Sequence, residues 1–284
     1  MPHPFHFPDH FPSRYWAECR SAHFAAARTA GVMEHTIAVL PLGATEQHGP
    51  HLPLQVDSAI ANGLVQSAIA ALTPTTSALF LPTLPVGYSP EHSSFGGTLT
   101  LKAETVLRLW TDMAESTAAS GVRTLVLFNT HGGQASFMDI VGRDLRMRLG
   151  LTVYGVNWYQ LPLLDACGED LSLRFSAHEH RFGAHAGQIE TALMLALQTG
   201  LVDMDAAQNF ASTSEQRAAQ FDILGNGTSA KLAWAAQDYN PAGAMGNAAA
   251  ATAETGQALC QAAGAALAKL LAQIAQDCAA RRPI

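Results

Sequence analysis

The chain has 284 residues, 48% of them hydrophobic and 14% charged, which excludes a disordered or solvating, highly charged chain. Lys+Arg is 16 against 23 Asp+Glu, and this net charge of −7 argues against a nucleic-acid surface or a polybasic membrane contact. Cys19, Cys167, Cys260 and Cys278 are far apart with no CxxC pair, as expected of reduced thiols in a cytoplasmic protein, while 12 histidines invite metal chemistry.

Residues 1–13 read as an aromatic, Pro-rich arm that packs on its own subunit or a neighbour. They lack the basic and apolar regions of a secretory signal. His3, His6 and His10 of this arm are left outside the site. A helix is expected near 14–29, then a buried parallel strand at 36–42 (TIAVLPL). A helix at 57–71, a strand at 79–84 and a long loop at 85–97 follow. The loop carries Tyr88, Ser89, Glu91 and His92. Helices at 105–119 and 136–149 flank the strongest strand, 123–129, and a fourth strand is expected at 151–158. Residues 160–184 read as a mixed loop, 187–197 as a helix, 200–247 as irregular and 248–279 as an Ala-rich helix. No segment comes near the length of apolar chain that spans a bilayer. The alternation predicts one α/β domain over 1–284, with a mostly parallel central sheet and helices on both faces. Ligand-binding loops then belong at the carboxyl ends of the strands.

The first strand runs into Gly43-Ala44-Thr45-Glu46-Gln47-His48. In an extended segment Glu46 and His48 point to one side, roughly 7 Å apart, a separation that suits two neighbouring metal ions. Asp57 follows at a helix start, where a carboxylate is favoured and can turn back to the loop. Carboxylate, imidazole and carboxylate suit Zn, Mn or Fe(II). The plain alternative is an N-capping Asp and a loop Glu–His hydrogen bond. His131 lies just past the third strand in NTHGGQ, the matching architectural position. Glu190 lies on a largely apolar helical face with Leu193, Met194 and Leu197, so its carboxylate needs a metal, an Arg or a proton. His185, a turn earlier, lies near the same site. Two divalent ions would be neutralised by Glu46, Asp57, Glu190 and a bridging hydroxide.

The motifs EQHGPHLPL…D, NTHGGQ, HAGQIETALMLAL and GAMGNAAAATAETG together resemble the creatininase (creatinine amidohydrolase) family from about residue 36 to residue 257. The resemblance implies an α/β sandwich, a dinuclear metal site, hydrolysis of small cyclic or formyl amides and a homo-oligomer, a hexamer by analogy. It implies Glu46 and His131 on a first metal, His48 on a second, Asp57 bridging, His185 at the substrate or moving protons, and Ser89 in a substrate-contacting loop. Gln134 and Arg181 join Ser89 as expected substrate contacts. Creatininases carry a metal-binding Glu where this chain has Gly133, and a Trp–Asp pair where it has Arg181 and Phe182. Glu190 thereby becomes the candidate for the missing ligand, and creatinine is not expected as the main substrate. The HGG form resembles the wider family, which includes deformylases and a peptidase acting on a modified peptide.

The expected function is a metal-dependent amidohydrolase acting on a small non-peptide C–N bond through a metal-bridged hydroxide. His185 would pass the proton, kept neutral by a helix N-terminus. Creatinine hydrolysis proper, a peptidase of the same family and a non-catalytic metal-stabilised binding protein stand as alternatives. A nucleotide-binding oxidoreductase is disfavoured, because GATEQHG lacks the G-x-G-x-x-G turn.

Overall fold

A computed structural model describes residues 6–280. Strands β1 (Ile37–Leu42), β2 (Ala78–Phe80), β3 (Thr124–Asn129) and β4 (Thr152–Asn157) form a parallel sheet in the order β2-β1-β3-β4. Helices α1 (Ser21–Thr29), α2 (Val56–Ala71), α3 (Ala103–Ala119) and α4 (Ala135–Leu149) come from the first half of the chain. The second half adds α5 (Ala177–Phe182), α6 (Gln188–Leu197), α7 (Thr213–Gln220), α8 (Ala236–Tyr239) and α9 (Ala253–Ala280). It also holds a two-residue antiparallel pair, β5 (Asn209–Phe210) with β6 (Gly246–Asn247).

Each strand feeds both layers. Ile37, Val39, Val126 and Phe128 meet residues of α2, α6 and α9 on one face. Ala38, Leu40, Leu42, Leu125 and Leu127 meet Trp110 of α3 and Leu145 of α4 on the other. Burial on both faces is why β1 and β3 are continuous apolar runs without polar alternation. The carbonyl of Pro41 accepts from Leu84 N–H beyond the end of β2, so the N–H that proline lacks also faces a place where the ladder has stopped.

The stretch 14–29 is helical only from Ser21. Arg14 and Tyr15 instead cover the free edge of β2: Phe80 N–H donates to the Arg14 carbonyl, and the Arg14 guanidinium donates to the carbonyls of Thr73, Thr76 and Ala78. That edge pairing competes with a helical turn and wins. Upstream, Phe7 and Phe11 are buried against the α1 side of the core and Arg14 stacks over Phe7. The described part of the arm therefore packs on its own chain, while His3 lies outside the described residues.

Helix α9 is, by length and composition, apolar enough to cross a membrane, contrary to the sequence expectation. Here it lies in the core, with Leu259, Ala263, Leu267 and Leu271 buried against α2 and α6. Among its alanines, Ala262, Ala263 and Ala268 are buried, while Ala253, Ala265, Ala279 and Ala280 are exposed. Its crossings are backbone-tight. A Cβ on Gly256 would fall 1.8 Å from the Ala192 carbonyl oxygen of α6, and one on Gly264 would fall 2.4 Å from Ser67 Cβ of α2. Helix propensity alone favours Gly256→Ala by about 1 kcal/mol. Overpacking costs roughly 1–3 kcal/mol in a tight core, and more when the obstacle is backbone. Gly256→Ala should therefore lower unfolding free energy in a denaturant melt; a gain would show that α6 and α9 can separate freely.

Candidate metal centre

The sequence-predicted ligands converge above the carboxyl ends of β1 and β3. Glu46 and His48 leave the loop after β1, His131 follows β3 directly, and Asp57 is the second residue of α2. The local hydrogen bonds explain the convergence. Thr130 Oγ1 donates to the carbonyls of Leu42 and Asp57, pinning α2 to both strand ends. Asn129 Nδ2 donates to the His131 carbonyl and to Asn157 Oδ1, while Asn129 Oδ1 accepts from His131 N–H. Asp57 lies in the first turn of α2, past the Gln55 cap, and its Oδ2 is buried without a hydrogen-bond partner.

Three compact groups result: Glu46, Asp57 and His131; His48, Asp57 and Glu190; and Glu46, His48 and His185. Asp57 Oδ2 is 3.7 Å from His131 Nδ1, and Asp57 Oδ1 is 3.8 Å from His48 Nε2. Glu190 Oε2 is 3.9 Å from the same His48 nitrogen, and Glu46 Oε2 is 3.3 Å from His131 Nε2. Both Glu46 oxygens, Asp57 Oδ2 and His48 Nε2 are buried without a hydrogen-bond partner. Unpaired buried carboxylates are costly, and among the described residues no Lys or Arg pairs with Glu46, Asp57 or Glu190. The donor set and its orphaned atoms fit divalent cations.

His131 Nε2 donates to the Tyr88 carbonyl at 2.8 Å, leaving Nδ1 as the lone pair that faces Asp57 Oδ2. His48 Nδ1 donates to the Glu46 carbonyl, leaving Nε2 as a lone pair aimed at Asp57 and Glu190. His185 Nε2 donates to the Gln47 carbonyl, so its free Nδ1 faces Glu46 Oε1 at 3.8 Å. Burial pushes His48 and His185 each down to about 3, so both imidazoles are neutral. For His185 the causes are burial and then His48; the residue lies before α6, in extended backbone paired with Met245, so the helix terminus is not the reason. Burial also raises Glu46 and Asp57 well above the usual carboxylate range. Ser89 partly opposes this at Glu46, and Glu46 itself adds to it at Asp57.

The His185 loop is held by two carboxylates. Buried Glu179 accepts from Gln188 N–H and Asn247 N–H at 2.6 and 2.8 Å, tying the start of α6 to β6. Ala186 takes φ 54°, a left-handed conformation unusual for a residue with a Cβ, and its N–H donates to Glu190 Oε2 at 2.6 Å. Glu190 lines a cleft of about 740 Å³ together with Gly132, Trp158, Leu163, Phe175 and His180.

Of the three expected substrate contacts, Arg181 lies away from the cleft and Gln134 and Ser89 are turned inward. Arg181 is exposed; its guanidinium donates to the Gly225 carbonyl and lies over the Phe182 ring, away from the cleft lining. The amide of Gln134 is consumed internally, donating to Gly43 O and Asn129 Oδ1 and accepting from Tyr88 N–H. Ser89 is fully buried beside His131 Nε2, at 3.4 Å, and so touches the candidate ligands themselves. His92 and Gln47 were unassigned in the sequence. Gln47 Nε2 donates to His92 Nδ1, which turns His92 Nε2 toward Glu46 Oε1 at 3.3 Å. A second Glu–His pair, Glu91-His92, in a loop at the same end of the sheet was the available signal.

Buried carboxylates and imidazoles at the carboxyl end of a parallel α/β sheet define a candidate metal centre at the place where such sheets bind ligands. The chain belongs to the creatininase family, whose profile, described as creatinine amidohydrolase, matches residues 20–271. A mycofactocin precursor peptide peptidase of Mycobacterium ulcerans (strain Agy99) is 32% identical over 184 residues, 62% of this chain and 65% of that one. The match thus spans just under two thirds of that relative's length. The creatinine amidohydrolase of Pseudomonas putida is 31% identical over 180 residues, 60% of this chain and 67% of that one. Among solved structures, a manganese form of creatininase aligns with TM-score 0.69 and 24% identity, over 92% of this chain and 98% of that one.

Because Glu46 and Asp57 titrate high, they hold protons in the metal-free protein at pH values where free carboxylates are ionised. A cation must displace those protons, so its apparent affinity should rise with pH. Neutral His48 and His185 have none to release at mildly acidic pH. Calorimetric metal titrations in two buffers of different ionisation heat should show net proton release; heats independent of buffer would contradict these raised values.

Proposed function

We propose that the protein is a metal-dependent amidohydrolase that holds two divalent ions, Zn, Mn or Fe(II). One lies among Glu46, Asp57 and His131, and the other among His48, Asp57 and Glu190. The observation that carries this reading is the set of buried, partnerless atoms of Glu46, Asp57 and His48 facing one another across these two groups. Bound ions there would supply a reactive water at neutral pH and polarise the amide carbonyl. Asp57 offers one oxygen to each position. His185 accepts a proton at its free Nδ1 and returns it to the departing nitrogen, its tautomer held by the Gln47 carbonyl. Gln47 and His92 brace Glu46 from behind.

The substrate is an amide: a small cyclic or formyl amide in the first reading, a bond in a modified peptide in the second. The cleft favours keeping the second. Its volume of about 740 Å³ and its aromatic wall would take a drug-sized group, well beyond a formyl amide. Assembly into a homo-oligomer belongs to the same proposal. Phe221, Ile223 and Leu224 expose apolar area for such contacts.

The metal-loaded protein should release amine and carboxylate from at least one member of a panel of formylated amines, lactams and short modified peptides, read by mass spectrometry. Absence of product across the panel from protein holding two ions would contradict the hydrolase reading. With the substrate in hand, His185→Ala should lower kcat by about 10²–10⁴ while both ions remain bound. Loss of metal in that variant would make His185 a ligand instead. Light scattering should report a mass well above the 30.0 kDa chain; a monomer at micromolar concentration would remove the assembly from the proposal.

A further inference from the structure

The two edges of the sheet are treated differently. The β2 edge is closed by Arg14 and Tyr15, whose backbone pairs with Phe80. β4 pairs with β3, and among the described residues no strand or bridge meets its other side. Thr152 N–H donates to the Arg123 carbonyl. Alternate residues of a strand direct their backbone groups to opposite neighbours, so Val153, Gly155 and Asn157 turn theirs away from β3. The strand Thr-Val-Tyr-Gly-Val-Asn has no charge, proline or bulge to blunt that edge, and Gly155, midway along it, is exposed. Beside the edge lies a groove of about 560 Å³, lined from α4 by Met138, Asp139, Gly142, Arg143, Arg146 and Met147. Val153 and Gly155 of β4 line it too, and Met147 is 85% exposed.

We propose that this face is the contact between two copies of the chain, in which β4 pairs antiparallel with β4 of the second copy about a two-fold axis. The inference rests on the homo-oligomer reading above and names its surface. The lining of the groove is self-complementary. Around a dyad between Gly142 and Arg143, α4 crosses its copy antiparallel. Met138 then stands opposite Met147, Asp139 opposite Arg146, and Arg143 opposite Gly142, which has no side chain to obstruct it. The symmetry makes each of these contacts twice. Asp139 already pairs with Arg143 of its own chain at 2.9 Å, but that pair is exposed and leaves the carboxylate open to a second arginine. In the strands, a dyad at Gly155 sets that residue against its own copy and Val153 against Asn157, so the outward backbone groups satisfy one another. The four-stranded sheet would run on into its copy. An extended peptide of one charge sign fits less well, because Asp139 lines the same groove as Arg143 and Arg146.

The test measures association by analytical ultracentrifugation and the exchange of backbone amides by mass spectrometry. Wild-type protein should associate at micromolar concentration, with Val153 and Gly155 protected from exchange. Met147→Glu should weaken association about 10-fold or more and release that protection. Asp139→Arg, which sets arginine opposite arginine, should weaken it to a similar extent. Adding Arg146→Asp to Asp139→Arg should restore association by reversing both charges, and this exchange decides the matter even where Met147→Glu alters the fold. An assembly that all these variants leave unchanged, with Val153 and Gly155 exchanging freely, would overturn this surface and leave the oligomer standing. Protection of Val153 and Gly155 in wild-type protein that sediments as a monomer would overturn it in favour of a strand from elsewhere. A monomer without that protection would overturn both the surface and the oligomer.

Discussion

A carboxylate that neither water nor a protein donor reaches has to find a cation or keep a proton. Both Glu46 oxygens and Asp57 Oδ2 are in that position, and the described residues provide no Lys or Arg to relieve them. His48 and His185 do not relieve them by ionising, because both are buried and neutral. The surrounding architecture holds this arrangement open. Thr130 ties α2 to β1 and β3, Gln47 and His92 set the face that Glu46 sees, and Glu179 fixes the entry to α6. Removing the protons without supplying a cation would leave adjacent buried negative charges. Binding of a cation there would therefore be coupled to the local fold.

The sheet gives that centre its rigidity. β1 and β3 are central and buried on both faces, and each ends where a ligand begins. The layer of α2, α6 and α9 supplies Asp57 and Glu190 from one side, with α9 passing so close to its neighbours that glycine is needed at the crossings. Small residues in α9 thus serve the position of α6, and through it the position of Glu190. The left-handed Ala186 is a local cost borne next to the same carboxylate.

Much of this was legible in the sequence because it depends on short-range rules. Four parallel strands were readable as apolar runs, and the ends of two of them point to Glu46, His48 and His131. Helical spacing exposed Glu190 as a carboxylate on an apolar face. What failed depends on segments far apart in the chain. The contact of Arg181 with Gly225 and the internal bonding of the Gln134 amide have no local signature. Glu91 and His92 sit in a loop without periodicity, so their approach to Glu46 and His131 follows only from packing. The covered edge of β2 likewise turned an expected helical turn at Arg14 into an extended one. Neutral His185 was the right expectation for the wrong cause, since burial beside His48 replaces the helix terminus.

The central claim is that Asp57 is shared between two cation positions, and metal content measured on wild-type and Asp57→Asn protein tests it most directly. The substitution keeps the size of the side chain and removes its charge. Elemental analysis after dialysis against trace metal should find about two ions per wild-type chain and the loss of both in the variant, with the metal-free fold intact by circular dichroism. Retention of both ions by Asp57→Asn, or their absence from the wild-type protein, would contradict the account.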